Sequence, residues 1–128
     1  MYLTQALKRS AQVNENGLAT KDGNRSFTWK QSMQRISKLA GGLKKLDFKT
    51  DERAAILSLN SDRYFEILYA APWAGGIFVP INTRLAPPEI EFWLNDSESS
   101  ILFVDKNFSN IAKELIETGK VPSIKKCI

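Results

Sequence analysis

The spacing of hydrophobic residues changes near residue 53. Before that point, residues 3–13 and 29–46 repeat apolar positions every three or four residues, which predicts two amphipathic helices. Residues 18–28 between them predict a hairpin that turns at Asp22-Gly23. Thr28 followed by Gln31 is the spacing of a capping box, and it predicts the start of the second helix.

Beyond residue 53, short apolar runs alternate with helical patterns. The runs "AAILSL", "GIFVPI", "SILFVD" and "IKKCI" are nearly continuous, as in parallel strands that are buried on both faces. The order strand, helix, strand predicts an α/β fold: a doubly wound, mostly parallel sheet flanked by helices and preceded by the N-terminal helix and β-hairpin. We therefore expect one unit over 1–128, with a helix, hairpin and long helix in 1–53 and a strand/helix repeat in 54–128. That repeat stops on a strand, as if cut at its C-terminal end.

Several side chains have predicted structural roles. Gly41-Gly42 is expected to allow close backbone approach within the second helix, and the strand "GIFVPI" is expected to be buried. The acid pairs Asp51/Glu52 and Glu89/Glu91 are expected to be solvated. Two further sets are expected to pack in the core: Tyr64, Phe65, Leu68 and Tyr69 on the third helix, and the tryptophans Trp29, Trp73 and Trp93.

The constraints around the second strand have local explanations. Pro72 is expected to end or kink the preceding helix, and Gly75-Gly76 to provide the left-handed exit and the tight entry into the strand. Pro80 cannot donate to a sheet, so it is expected at the strand's end. Pro87 is expected in the first turn of the next helix.

Composition narrows the chemistry. The chain has no histidine, which excludes Ser-His and Cys-His catalysis and the usual zinc sites within these 128 residues. The single cysteine, Cys127, fits a small hydrophobic residue in a reducing compartment, and a cytoplasmic location is expected. The longest apolar run contains two prolines and two glycines, so no transmembrane segment is expected.

The positive charge is concentrated in the first part of the chain. Residues 1–53 hold eleven Lys/Arg against five Asp/Glu, whereas residues 54–128 hold seven against nine. Such a basic part is compatible with a polyanionic partner, but the cations are scattered and lack a platform of aromatic side chains for stacking bases. A nucleic-acid partner is therefore not expected.

The best candidate site follows the second predicted strand. Ligands of doubly wound sheets gather at the C-terminal ends of strands, which points to Asn82–Leu85. Arg84 is the residue of this loop that suits a phosphate, although an exposed arginine on a connecting loop is the simpler interpretation. Asp105 at another strand end fits a site carboxylate or, more simply, a cap at the start of a loop.

The segment "AGGIFVPINTRLAPPEIEFWLNDS" resembles a motif of adenylate-forming enzymes, A-G-x(4)-P-x-N-x-R-L-x(3)-E-(I/L)-x(3)-L-x-D-(S/A). The elements "FTWKQSMQRISKLAGGLKKL" and "ILSLNSDRYFEILYA" also resemble earlier elements of that family, in the same order. Within the family, "NTRL" and "LNDSES" look most like fatty-acid–CoA ligases.

This resemblance implies the N-terminal part of an acyl-CoA synthetase. Such an enzyme uses ATP and Mg²⁺ to form an acyl-adenylate, from which CoA displaces AMP. The family's Ser/Thr/Gly-rich phosphate loop and its catalytic lysine motif are not in these 128 residues, so no catalytic or metal-binding residue is assigned and no cofactor is expected to bind this part alone. The position of Arg84 in the motif implies contact with the 3′-phosphate of CoA.

The resemblance also carries expectations about partners. A fatty acid is the expected substrate, and the remainder of the same chain is the expected partner. An apolar face awaiting that partner would favour a homodimer of the isolated part. The alternatives are a free-standing α/β binding module without catalysis and, less favoured, a nucleic-acid-binding domain.

Overall fold

A computed structural model describes residues 2–128 as five helices, a hairpin and a four-stranded sheet. The elements in chain order are α1 (Thr4–Val13), β1 (Leu18–Asp22), β2 (Arg25–Thr28), α2 (Trp29–Lys45), β3 (Arg53–Leu57), α3 (Asp62–Trp73), β4 (Ile77–Pro80), α4 (Pro87–Asp96), β5 (Ile101–Val104), α5 (Ser109–Glu117) and β6 (Lys126–Cys127). The predicted α/β class and the strand/helix repeat are confirmed.

The order of strands in the sheet is β4-β3-β5-β6, and every neighbouring pair is parallel. The chain leaves β3 for β4 on one side, then crosses back over β3 to place β5 on its other side. This reversal of direction is the topological switch point of a doubly wound sheet. It puts the crevice between the C-terminal ends of β3 and β5.

Successive side chains of β3 point to opposite faces of the sheet, and helices cover both faces. Ala54 and Ile56 face the core formed with α1, α2 and α3, whereas Ala55 and Leu57 face the core formed with α4 and α5. All four are at most 1% exposed. A strand buried on both faces has no polar side, which is why its sequence is a continuous apolar run.

Local signals fix the turns as predicted. Gly23 turns the hairpin with a φ of 58°. The Thr28 hydroxyl accepts from the Gln31 N–H at 3.1 Å, and the Gln31 side chain accepts from the Thr28 N–H at 2.9 Å, which completes the capping box.

The entry to β4 also follows the prediction. Pro72 lies one residue before the end of α3, and Gly75 has a φ of 91°, a conformation that favours glycine. Gly76 lies against the Phe48 ring, and a Cβ there would stand 2.8 Å from the Glu52 carbonyl oxygen. Glycine at 76 is therefore required by space, and Pro80 ends the strand at the edge of the sheet.

Two predictions about burial are wrong. β4 is not a buried strand, because it is the edge of the described sheet and Ile77 is 43% exposed. Gly41 and Gly42 permit no close approach, since a Cβ at either position would meet nothing within 4 Å.

The buried face of α3 is also different from the prediction. The predicted aromatic residues are only partly buried, although Tyr64, Phe65 and Tyr69 do pack against the core. The buried positions include two acids, Asp62 and Glu66, because each is paired with an arginine from a distant element.

The tryptophans divide into two groups. Trp29 and Trp73 pack against the core as predicted, but Trp93 is 47% exposed and stacks edge-on against Phe92 at the surface of α4. The role predicted for Trp93 in the core is wrong.

Candidate functional site at the switch point

A cleft of about 760 Å³ opens between the C-terminal ends of β3 and β5, at the topological switch point. We call it the switch-point cleft. Its apolar surface comes from both strands and from α2 and α3, through Leu39, Ile56, Ile67 and Phe103 among others. Polar side chains of the loops that follow β3 and β5 also line the cleft. This position is where ligands of open α/β sheets bind.

Asp105 ties the two loops of the cleft together. Its Oδ2 accepts from the Leu59 N–H at 2.8 Å and lies 3.2 Å from the Ser58 hydroxyl, and its Oδ1 accepts from the Asn107 N–H at 2.8 Å. Burial opposes ionisation of this carboxyl, but the hydrogen bonds from Leu59, Asn107 and Ser58 outweigh it and lower the pKa of Asp105. Asp105 is thus more than a cap at the start of its own loop, because it also holds the loop after β3.

Arg35 on α2 and Glu66 on α3 line the cleft as an ion pair. The Arg35 Nε and NH2 groups donate to the two Glu66 carboxylate oxygens at 2.5 and 3.2 Å, and the guanidinium lies 4.3 Å from the centre of the Phe27 ring. The hydrogen bond to Glu66 raises the pKa of Arg35 despite its partial burial. This bidentate pair joins α2 to α3.

A second pair holds the hairpin over the start of α3. The Arg25 guanidinium donates to Asp62 Oδ1 at 2.7 Å, and the Asp62 side chain is 1% exposed. Asp62 Oδ2 is buried without a hydrogen-bond partner in the described part of the chain. The N–H of Asp62 is itself bound by Asp22, so the hairpin closes this end of the helix.

The N-terminus of α3 therefore offers no free anion site. The N–H groups of Asp62, Arg63 and Tyr64 donate to the side chains of Asp22, Asp62 and Ser61 respectively. Arg63 and Lys106 are different, because both line the cleft and neither forms an ion pair with a carboxylate of residues 2–128. They are its two unpaired cations.

Arg84 lies elsewhere. The loop Asn82–Leu85 does not line the switch-point cleft; it follows β4, on the far side of β3 from β5. The Asn82 side chain accepts from the Arg84 N–H at 2.9 Å, which orders the loop, and the arginine side chain is exposed. The loop predicted as the best candidate site therefore lies apart from this cleft, and the CoA role of Arg84 stays a prediction.

Sequence reasoning also missed Arg35, Arg63 and Lys106. The signal that would have helped is the order of strands, because a β4-β3-β5-β6 sheet places the crevice beside β3 and β5.

Of the acids predicted to be solvated, Glu52 instead accepts hydrogen bonds from the Lys49 N–H at 2.7 Å and the Lys125 ammonium at 3.2 Å. Glu89 accepts from the Ala86 N–H at 2.8 Å.

Cys127 and the sites of a metal ion or a membrane segment are the other features considered in the sequence. Cys127 is exposed in β6. Between Tyr2 and Ile128, the side chains of His, Cys, Asp and Glu nowhere gather in a group of three that could hold a metal ion. No helix in that span combines the length and apolarity needed to cross a bilayer.

Comparison with known proteins identifies the family to which this chain belongs. The profile of the family described as AMP-binding enzyme matches residues 7–128. A benzoate–CoA ligase of Arabidopsis thaliana is 32% identical over 108 residues, which are 84% of this chain and 19% of that protein. A feruloyl-CoA synthase of a Streptomyces species is 35% identical over 94 residues, which are 73% and 19%.

Solved structures agree with this result. The anthranilate CoA ligase AuaEII, in complex with anthranoyl-AMP, has a TM-score of 0.93 at 26% identity and matches 99% of this chain and 24% of its own. The N-terminal domain of FACL13 from Mycobacterium tuberculosis has a TM-score of 0.94 at 25% identity and matches 100% and 33%.

The chain belongs to the AMP-binding enzyme family, and it corresponds to an N-terminal part of an acyl-CoA ligase. It spans about a fifth of the length of the curated relatives that it matches.

Proposed function

We propose that this chain is part of an ATP-dependent acid–CoA ligase, which converts a carboxylic acid to an acyl-adenylate and then to an acyl-CoA. The observation that carries the proposal is the family match over residues 7–128, together with a TM-score of 0.93 to a ligase that holds its acyl-AMP. The test is acid-dependent ATP–pyrophosphate exchange by the complete gene product. No exchange with any of a broad panel of acids would contradict the proposal.

The substrate proposed from the sequence is a fatty acid. A putative long-chain-fatty-acid CoA ligase from Rhodopseudomonas palustris supports this substrate, whereas other relatives are named for benzoate, cinnamate or a feruloyl group. The decisive comparison is the kcat/KM of the complete gene product for octanoate and palmitate against benzoate and cinnamate. A higher kcat/KM for the aromatic acids would refute the fatty-acid assignment.

Arg84 is proposed to contact the 3′-phosphate of CoA. The residue fits this role because its guanidinium is exposed, lacks an ion pair within the described residues and lies on a loop ordered by Asn82. In the complete gene product, Arg84→Ala should raise the KM for CoA and leave the KM for dephospho-CoA unchanged. Arg9→Ala, another exposed arginine, is the control. An unchanged KM for CoA in Arg84→Ala would remove the assignment.

The proposed reaction requires ATP and Mg²⁺, and we propose that their sites lie outside residues 2–128. The carboxylates of the chain are engaged in loop and helix contacts or dispersed, so no group of them suits a magnesium ion. We therefore propose that residues 1–128 alone neither bind these cofactors nor catalyse the reaction. They would form a scaffold in the cytoplasm that docks on the remainder of the enzyme, or on a second copy through exposed apolar side chains.

The alternative is a free-standing binding module without catalysis. The switch-point cleft supports it, because the chain forms this cavity without any other chain. Exchange assays and partner capture on the same preparation of the complete gene product separate the two proposals. Exchange activity supports the ligase, whereas a stable partner without exchange supports the module.

A further inference from the structure

We propose that the neighbouring helices α1 and α2 form a surface that binds the anionic face of a phospholipid bilayer. We call this surface the basic face and define it by four cations, Arg9 on α1 and Lys38, Lys44 and Lys45 on α2. None of the four lines the switch-point cleft or belongs to the loop of Arg84. The proposal therefore does not rest on the ligase reaction.

The two helices carry charge of one sign. α1 contains two Lys/Arg and α2 contains five, and neither contains an Asp or a Glu. They are neighbours, because Leu7 of α1 belongs to the same core cluster as Ile36 and Leu43 of α2. On the other face of the sheet, α4 contains three acids and no cation. This separation of charge gives the molecule one face that an anionic surface attracts and one that it repels.

The four cations of the basic face are free to meet an external anion. The other cations of the two helices have partners within the described residues: Lys8 lies over the Trp73 ring, Lys30 pairs with Glu15, and Arg35 pairs with Glu66. All four cations of the basic face are exposed, and none of them forms an ion pair within residues 2–128. The chain itself therefore does not neutralise their charge.

Exposed apolar side chains accompany the cation of α1. Tyr2 is 77% exposed and Val13 is 63% exposed. Tyr2 precedes Arg9 by seven residues and Val13 follows it by four, so the three side chains lie on one side of the helix. The opposite side holds Leu7 and Ala11, which are buried. A helix that exposes apolar side chains beside a cation lies flat at the level of the lipid headgroups, where tyrosine is also favoured.

The outward side of α2 is open between its lysines. Lys38 and Lys45 are two helical turns apart, about 10 Å along the axis. Gly41 lies between them, is exposed, and has nothing within 4 Å of the position of a Cβ. A layer of headgroups can therefore reach both ammonium groups without meeting a side chain at that position.

The composition of the basic face favours a bilayer over a macromolecule of defined shape. Three of its four cations are lysines, which are depleted in protein–protein interfaces. Nucleic acid binds exposed aromatic side chains on which its bases stack, but Trp29, the only aromatic residue of the two helices, packs against the core. Lipid headgroups require only charge at close range and apolar side chains that enter the interface.

The test measures sedimentation of the complete gene product with phospholipid vesicles. Phosphatidylcholine vesicles with about 30% phosphatidylserine should bind half of the protein at a lipid concentration on the order of 0.1–1 mM. Vesicles of phosphatidylcholine alone should bind at least about tenfold more weakly. Raising the salt from about 0.1 to about 0.5 M should weaken binding to the anionic vesicles at least about tenfold, because screening shortens the range of the attraction.

Paired variants locate the charged contact. Lys38→Gln combined with Lys45→Gln should weaken binding to the anionic vesicles by about ten- to thirtyfold, since each cation near the surface contributes about fivefold. The matched control, Lys113→Gln with Lys120→Gln, removes two charges at and after α5 on the other face of the sheet and should leave binding unchanged. Circular dichroism melts check that both variants are folded.

A second pair of variants tests the apolar contact. Tyr2→Ser with Val13→Ser should weaken binding at least about tenfold, because both side chains leave water in the bound state. Phe92→Ser removes a side chain that is 60% exposed on α4, and it should leave binding unchanged.

Equal binding to neutral and anionic vesicles, no binding to either, or unchanged binding in either pair of variants would overturn the proposal. Tighter binding of a polyglutamate peptide or of duplex DNA than of the anionic vesicles would also overturn it, by assigning the basic face to an acidic protein or to nucleic acid. ATP–pyrophosphate exchange is measured separately on the same preparation, so failure of the ligase proposal and failure of this one are distinguishable.

Discussion

Replacing Asp105 by alanine tests whether one carboxylate holds the two loops of the cleft. The substitution removes the acceptor for the Leu59 and Asn107 N–H groups, at 2.8 Å each, and for the Ser58 hydroxyl at 3.2 Å. A hydrogen bond to a charged group contributes about 1.5–3 kcal/mol when buried. Water can replace part of these bonds, because both N–H groups lie in exposed loops. We therefore expect a total loss of about 1–3 kcal/mol in the free energy of unfolding.

Urea denaturation followed by circular dichroism measures this loss. For a chain of this size it corresponds to a decrease in Tm of roughly 3–5 °C for each kcal/mol. Ser58→Ala should cost less than Asp105→Ala, because the Ser58 hydroxyl also lies 2.8 Å from the Leu59 carbonyl oxygen and is not committed to Asp105. Asp96→Ala, on the exposed end of α4, should stay within about 0.5 kcal/mol of the parent. If Asp105→Ala is as mild as Asp96→Ala, the proposed role of Asp105 is wrong.

The same variant predicts a dependence on pH. The pKa of Asp105 is lower in the folded protein than its ordinary value of 3.8, so the carboxylate stabilises the fold fully above that ordinary value. The contribution is lost as pH falls through the lower, folded pKa. The difference in stability between parent and Asp105→Ala should therefore be constant from pH 7 to 5 and shrink below about pH 4. A difference that grows on acidification would contradict this reasoning.

Two further pairs of substitutions test packing and ion pairing. Gly76→Ala should lower the free energy of unfolding by about 1–3 kcal/mol, because its Cβ meets the Phe48 ring. Gly41→Ala has open space around its Cβ and should raise the free energy of unfolding by about 0.5–1 kcal/mol. Equal effects of the two substitutions in thermal melts would refute this contrast. Glu66→Gln should lower the free energy of unfolding by about 1–3 kcal/mol, because it leaves Arg35 without its carboxylate. In a double-mutant cycle, adding Arg35→Met to Glu66→Gln should recover part of that loss. Strict additivity of the two substitutions would show that the pair is not coupled.

Most of the fold could be predicted because its signals are local. The capping box of Thr28 and Gln31 is complete within four residues, and the positive φ of Gly23 and Gly75 follows from the turns that contain them. The burial of β3 on both faces is equally local, since a strand covered on both faces needs a continuous apolar run, here residues 54–57. These features require no knowledge of distant residues.

The buried acids of α3 could not be predicted for the opposite reason. Glu66 is neutralised by Arg35, 31 positions earlier, and Asp62 by Arg25, 37 positions earlier. In the sequence each acid is merely a charged residue on a mostly apolar helix, and isolated charges avoid burial. Only the approach of α2 and the hairpin to α3 makes burial of these carboxylates acceptable.

The location of the cleft depends on strand order, and this explains why the sequence pointed to the loop of Arg84 and not to this cavity. All parallel strands present their C-terminal ends at one edge, so sequence alone cannot choose among the loops after β3, β4 and β5. The crevice lies between β3 and β5, the strands between which the chain reverses direction, because helices that leave on opposite faces of the sheet open a gap there. The strand β4 has only one neighbouring strand, and Asn82 and Arg84 in the loop after it are exposed. Such a loop can still give one arginine to a ligand held mainly by other parts of a protein. This is the role proposed for Arg84, whereas the loops after β3 and β5, which Asp105 joins, line a separate cavity.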